Sequence, residues 1–152
     1  MNVLNNIQIL QVLKTDKFSS PLFRGVFSRD QIPLNIQYPS CLILNTHTSN
    51  NVGEHWLAIF YDKLGIVNFF DSYWNHPDYF GLKKYLEYTS TGWNYNSKCI
   101  QSLNSTFCGY YCLLFILSRS RNISFQDFLK YFKSENDQEI KKLISKNSWY
   151  II

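Results

Sequence analysis

The segment from Cys108 to Leu117 reads Cys-Gly-Tyr-Tyr-Cys-Leu-Leu-Phe-Ile-Leu and offers water no polar face. Continued to Ser120 it is expected to be a helix, and a helix apolar nearly all round has to be covered on every side. The rest of the chain must therefore supply layers that wrap it. With 152 residues, 45% of them hydrophobic and 18% aromatic, it has the material for one such core. This content excludes a disordered or fibrous chain. No run of about 18 apolar residues occurs, so no membrane-spanning helix is expected. Met1–Leu10 carries Asn2, Asn5, Asn6 and Gln8 instead of a basic start and an apolar stretch. A secretory signal peptide is accordingly not expected, nor is secretion.

Ahead of the apolar helix the pattern changes. Leu4, Ile7, Leu10 and Leu13 fall near helical spacing and predict an amphipathic helix over Val3–Lys14. Pro21, Gly25 and Pro33 then mark a loop-rich stretch. Cys41–Leu44, Trp56–Tyr61 and Ile66–Phe70 have strand length and β-branched or aromatic content. Asp62-Lys63-Leu64-Gly65 between the last two reads as a hairpin turn. A helix around Tyr79–Tyr88 and a strand at Trp93–Tyr95 follow. Beyond Ser120, Ser124 and Asp127 form a capping pattern for a helix to about Phe132, and Asp137–Ser145 reads as one more. There is no internal repeat and no linker. A single α+β domain over residues 1–152 is expected, a small mixed sheet packed on a central buried helix.

The chemistry-bearing residues cluster around these elements. Cys108 opens the buried helix after Asn104-Ser105-Thr106, any of which could cap it, and a helix N-terminus favours a thiolate. Gly109 beside it leaves space for a substrate backbone. His55 stands where a loop enters the Trp56 strand, a common place to display a working side chain on a rigid element. His47 and His76 lie in polar loops with no neighbouring strand to fix them. Asp71 ends the Ile66 strand. If that strand pairs with the Trp56 strand as a hairpin, His55 and Asp71 reach the same sheet edge, where the carboxylate can orient the imidazole. Gln101 precedes Cys108 in a polar loop that can bring a carboxamide N–H alongside the Cys108 N–H as an oxyanion donor. Any one of these residues has an ordinary structural reading. Together they supply nucleophile, base, orienting acid and oxyanion donor.

In the order His55, Asp71, Gln101, Cys108 the sequence resembles the adenovirus protease (adenain) family, and especially the adenain-like proteases of Maverick/Polinton-type transposons. The resemblance rests on Gly53-Glu54-His55-Trp56-Leu57-Ala58, on Phe69-Phe70-Asp71-Ser72-Tyr73, and on the block from Gln101 to Cys112 with Asn104 and Ser105 in matching positions. Phe23–Phe27 and Arg29–Pro33 resemble the opening of the transposon-type members. The likeness spans roughly residues 3–130. It implies the papain-like fold shared with ubiquitin-like-protein proteases and a cysteine endopeptidase that matures viral capsid precursors at sites with small residues such as Gly. It also implies Trp56 and Gly109 beside the substrate, a monomer, and work in the virion and the host nucleus or cytoplasm. The residues call for no cofactor and no metal. DNA or a peptide as activator is what the resemblance implies, although neither Cys41 nor Cys99 matches the cysteine that links the peptide.

Three other readings meet the same residues. A deconjugase for ubiquitin-like proteins would share the four-residue site. Zinc could use Cys108, Cys112 and His55, but structural zinc usually takes four ligands. A catalytically inactive binding module would not need all four residues. The net charge of +4, from fifteen basic and eleven acidic residues, fits weak DNA binding as well as an ordinary soluble enzyme. Four cysteines are too few for a disulfide scaffold of this size, so free thiols are expected.

Overall fold

The computed structural model describes residues 3–47, 55–133 and 136–146. Helix α1 (Asn6–Thr15) starts where Asn5 and Gln8 exchange side-chain and backbone hydrogen bonds, a capping box that satisfies two otherwise unpaired N–H groups. Five strands follow, β1 (Phe23–Ser28), β2 (Ser40–Asn45), β3 (Trp56–Tyr61), β4 (Ile66–Phe70) and β5 (Gly92–Tyr95), with helix α2 (Lys83–Thr89) between the last two. Helices α3 (Cys108–Ser120), α4 (Phe125–Lys130) and α5 (Asp137–Lys146) complete the described chain.

The strands form one sheet in the order β1-β2-β3-β4-β5. The three central strands are antiparallel neighbours, whereas β1 lies parallel to β2 and β5 parallel to β4. Alternation along β3 sets the layering, because successive side chains leave opposite faces of a strand. Trp56, Ala58 and Phe60 join α1, α3 and α4 on one face. Leu57, Ile59 and Tyr61 meet Phe80, Leu82 and Leu86 on the other. Covered on both faces, β3 is buried at every position. All ten residues from Cys108 to Leu117 are likewise buried, as the absence of a polar face demands.

Three expectations need correction. The stretch broken by Pro21, Gly25 and Pro33 contains β1, whose pairing with β2 shifts register between Phe23 and Val26. A bulge tolerates punctuation that a regular strand would not. The helix expected around Tyr79–Tyr88 is two pieces, a 3-10 turn at Pro77–Phe80 and α2, separated at Gly81 with φ 70°. None of Asn104, Ser105 and Thr106 is the N-cap of α3, a position held by Phe107 without a side-chain cap. The Ser105 hydroxyl instead accepts the N–H of Phe107, one residue too early to cap the helix itself.

The β3–β4 turn closes through Gly65 N–H to Asp62 O, with the Asp62 carboxylate accepting from Leu64 and Ile66. Gly65 has φ 82°, and a Cβ there would stand 2.3 Å from the Tyr38 ring. At Gly81 a Cβ would meet nothing within 4 Å. Gly81→Ala should therefore cost about 1 kcal/mol, the price of the left-handed backbone alone. Gly65→Ala should cost clearly more, because it adds a clash with an aromatic ring. Urea denaturation of the two variants measures the difference, and equal losses would show that Tyr38 yields freely.

Candidate active site

His55 is the residue before β3 and Asp71 the residue after β4. Antiparallel pairing places Ala58 opposite Phe70, so the start of one strand and the end of the other share a sheet edge. There His55 Nε2 lies 2.7 Å from Asp71 Oδ1. Cys108, at the first turn of α3, stands beside the same imidazole. Asp71 occupies one ring nitrogen, which leaves Nδ1 for the thiol. Glu54 and Gly53, on the N-terminal side of His55, lie outside the described residues.

Asp71 has no exposed surface. A carboxylate can be buried only when its lone pairs are used. Besides His55, its oxygens accept from Tyr73 N–H at 3.0 Å, Asn75 N–H at 3.1 Å and Asn75 Nδ2 at 2.8 Å. Asn96, itself fully buried, grips the Asp71 backbone, accepting from its N–H and donating to its carbonyl. Asn75 can reach back because the turn folds tightly: Trp74 N–H donates to Asp71 O, with Trp74 in the left-handed region at φ 69°. That conformation is costly for a bulky residue and is held in place by the bonds around it.

These contacts set the charges. Burial pushes the Asp71 carboxyl up, but the hydrogen bond and charge of His55, with the Tyr73 and Asn75 donors, outweigh it and hold the carboxyl below its ordinary value. Burial pushes the His55 imidazole down. The hydrogen bonds to Asp71 and Cys108, and the negative charge of both, overcome this and raise it to about 9. The site is therefore built to keep a protonated imidazole against the Asp71 carboxylate at neutral pH.

Gln101 is buried and held at both ends of its carboxamide. Its oxygen accepts from the Ser72 hydroxyl, and its Nε2 donates to Ser105 O and Ser105 Oγ, each at 3.1 Å. Its backbone N–H donates to Ser72 O, so the residue next to Asp71 anchors the segment that leads to Cys108. Tyr73 ties the two halves of the site together. Its ring lies 5.0 Å from the His55 ring, and its hydroxyl donates to Ser105 O at 2.9 Å.

Trp56 is buried and its Nε1 donates to Leu4 O at 3.1 Å. A Cβ at Gly109 would lie 3.1 Å from both Leu4 Cβ and Trp56 Cδ1, so on that side the space beside Gly109 is filled by the protein. Cys112, fully buried one turn beyond Cys108, donates to Trp56 O. Burial pushes its thiol well up, which leaves it a packing residue. The other histidines serve the backbone: His76 Nδ1 accepts from Asp78 N–H, and the His47 carbonyl accepts from Arg29 N–H. Among the described residues no group of three His, Cys, Asp or Glu could hold a metal ion.

Ser72, Tyr73, Asn75, Asn96 and Ser105 are the members of the site that sequence reasoning missed. Only the first turn carried a readable signal: an Asp that ends a strand commonly accepts the N–H two residues on, as Asp71 does from Tyr73.

The arrangement defines an α+β fold in which a mixed five-stranded sheet carries a histidine–aspartate pair against a cysteine at a helix start. This fold is shared with the ASFV pS273R protease, matched by two crystal structures. One has a TM-score of 0.65 at 20% identity over 91% of this chain and 64% of the other. The second, of the selenomethionine protein, has a TM-score of 0.56 at 20% identity over 91% of this chain and 65% of the other. The chain thus spans just under two thirds of the ASFV protein's length. No protein-family model and no curated protein sequence matches it.

An NMR titration of the His55 ring should show a midpoint near 9. Asp71→Ala removes a hydrogen bond and a negative charge that both favour the proton, so the midpoint should fall by about one unit or more. An unchanged midpoint would show that the carboxylate is not what holds the proton. Cys112→Ala should lower stability by about 1 kcal/mol and leave the His55 titration alone.

Proposed function

We propose that this protein is a cysteine endopeptidase in which Cys108 is the nucleophile, His55 its base and acid, Asp71 the group that orients His55, and Gln101 a side-chain oxyanion donor. The observation that carries the reading is the 2.7 Å His55–Asp71 contact, which presents the other imidazole nitrogen to Cys108 at the start of α3. Likeness of fold to a viral protease and the resemblance of the motifs support it.

In this reading the Cys108 thiolate attacks the scissile carbonyl carbon, and its oxygen gathers negative charge beside the Cys108 N–H and the Gln101 carboxamide. Both acceptors of Gln101 Nε2 belong to Ser105, and in this reading they share one N–H while the other turns to the oxyanion. His55 gives its Nδ1 proton to the leaving amine as the C–N bond breaks, which leaves a thioester on Cys108. The neutral imidazole then takes a proton from water, the hydroxide adds to the thioester, and collapse releases the acid and restores the thiolate–imidazolium pair. Trp56 and Gly109, packed against each other with Leu4, bear on the substrate in this reading by fixing the start of α3, since the space beside Gly109 is filled.

The substrates in this reading are polypeptides, namely viral or transposon capsid precursors cut near small residues such as Gly, and the enzyme works as a monomer in the virion and host cell. Weak DNA binding rests on the +4 charge, with any stimulation fading as salt rises.

Profiling a peptide library with wild type and Cys108→Ala tests the proposal. Wild type should cleave, iodoacetamide should modify Cys108 first and stop the reaction, and Cys108→Ala should lose several orders of magnitude in kcat. Cleavage retained by Cys108→Ala would sink the assignment. Activity should hold below about pH 9 and be lost as the pH rises through it, because His55 must carry its proton to the leaving amine. Gln101→Ala should lower kcat by about 10²–10³-fold with little change in KM, the usual cost of one oxyanion donor.

A further inference from the structure

The segment from Ile100 to Phe107 joins the sheet to the nucleophile's helix and contains no helix or strand of its own. Gln101 sits near its beginning and Cys108 directly after its end. A segment of this kind holds a working geometry only if something fixes it from outside. Ser72 and Tyr73 hold it from the turn after β4, and α5, which lies beyond the stretch of chain that carries the family resemblance, holds it as well. Asn136, just before α5, donates through Nδ2 to Ile100 O at 2.8 Å. Asp137, its first residue, accepts from Ser105 Oγ and from the Tyr111 hydroxyl, each at 2.9 Å. Lys141, one turn on, lies 5.8 Å over the Phe107 ring, and Ile140 is fully buried. α5 and the residue before it thus touch the segment at its start, middle and end.

The Asp137 contact also decides which way a proton points. A serine hydroxyl has one proton to give and two lone pairs to receive. An ionised Asp137 can only accept, so it claims the Ser105 proton and turns that oxygen into an acceptor toward Gln101 Nε2 and Phe107 N–H. Ser72 donates to the other end of the same carboxamide. The plane of the Gln101 amide is therefore determined at its oxygen by Ser72 and at its nitrogen by Ser105. Without an acceptor at 137 the Ser105 hydroxyl is free to rotate, and of its two acceptors the nitrogen end keeps only the Ser105 carbonyl.

We infer that Asp137 is a positioning residue that acts through Ser105 to hold Gln101 as an oxyanion donor, so that α5 belongs to the active-site apparatus. It touches neither substrate nor reacting atoms. The inference rests on the role proposed above for Gln101.

The test uses the full chain carrying Asp137→Ala, Asp137→Asn or Tyr111→Phe, read by the side-chain amide NMR signals of Gln101 and by peptide kinetics. Asn still accepts the Ser105 proton, and Tyr111→Phe removes the other donor to Asp137 without touching Ser105. Asp137→Ala should shift the Gln101 amide signals and lower kcat by about tenfold, a fraction of the 10²–10³ expected for losing the donor itself. KM and the rate of Cys108 alkylation should stay within about twofold of wild type, and the two other variants should resemble wild type throughout. In a Gln101→Ala background Asp137→Ala should cost no further kcat, because the two residues act in series. Should Asp137→Ala fail to fold, Ser105→Ala removes the same link and should give the same pattern. Unmoved Gln101 signals, additive losses, or alkylation slowed in step with kcat would overturn the inference, the last because it would mean a general loosening of α3. Amide signals that respond as expected in a protein without wild-type turnover would instead overturn the protease reading alone.

Discussion

A carboxylate with no solvent contact is the constraint around which the site end of this molecule is organised. Asp71 stays ionised in the interior because four donors surround its two oxygens, one of them the His55 imidazolium. Remove those donors and burial would push its carboxyl up, weakening the charge that helps His55 keep its own proton. The strained turn at Trp74, the buried Asn96 and the reach of Asn75 all serve that one group. Local strain is tolerable here since the hydrogen bonds that require it are worth more than it costs.

The second organising element is the helix that has no outside. Because α3 is buried along ten successive residues, its first turn cannot shift without disturbing the core. The thiol is thereby fixed against His55 by packing of Leu4, Trp56 and Gly109 more than by any bond of its own. The histidine and aspartate are fixed by sheet register, the thiol by the core, and Gln101 by hydrogen bonds of its side chain and its backbone N–H.

This difference in means explains what the sequence disclosed. Periodicity and composition located α3, β3 and β4 to the residue, since each is dictated by burial. The shared sheet edge of His55 and Asp71 followed from the hairpin between Asp62 and Gly65, whose turn chemistry is local. β1 was hidden by Gly25 and two prolines because its acceptance into the sheet depends on a bulge against β2, a long-range fact. The break at Gly81 was missed because apolar spacing continues across it. Ser105 shows the limit most clearly: three polar residues before a helix look like interchangeable caps, and only the fold reveals that one of them joins Gln101, Phe107 and Asp137.

The site draws on positions 55, 71, 101 and 108, and its histidine and thiol meet only where the sheet closes against α3. During synthesis the hairpin bearing His55 and Asp71 leaves the ribosome well before Cys108. Until α3 enters the core, the imidazole has one hydrogen-bond partner instead of two, and the thiol lacks its neighbour. A half-made chain thus holds the parts of the site without their geometry. The site is completed only with the interior, so the same event that makes the protein stable also assembles it.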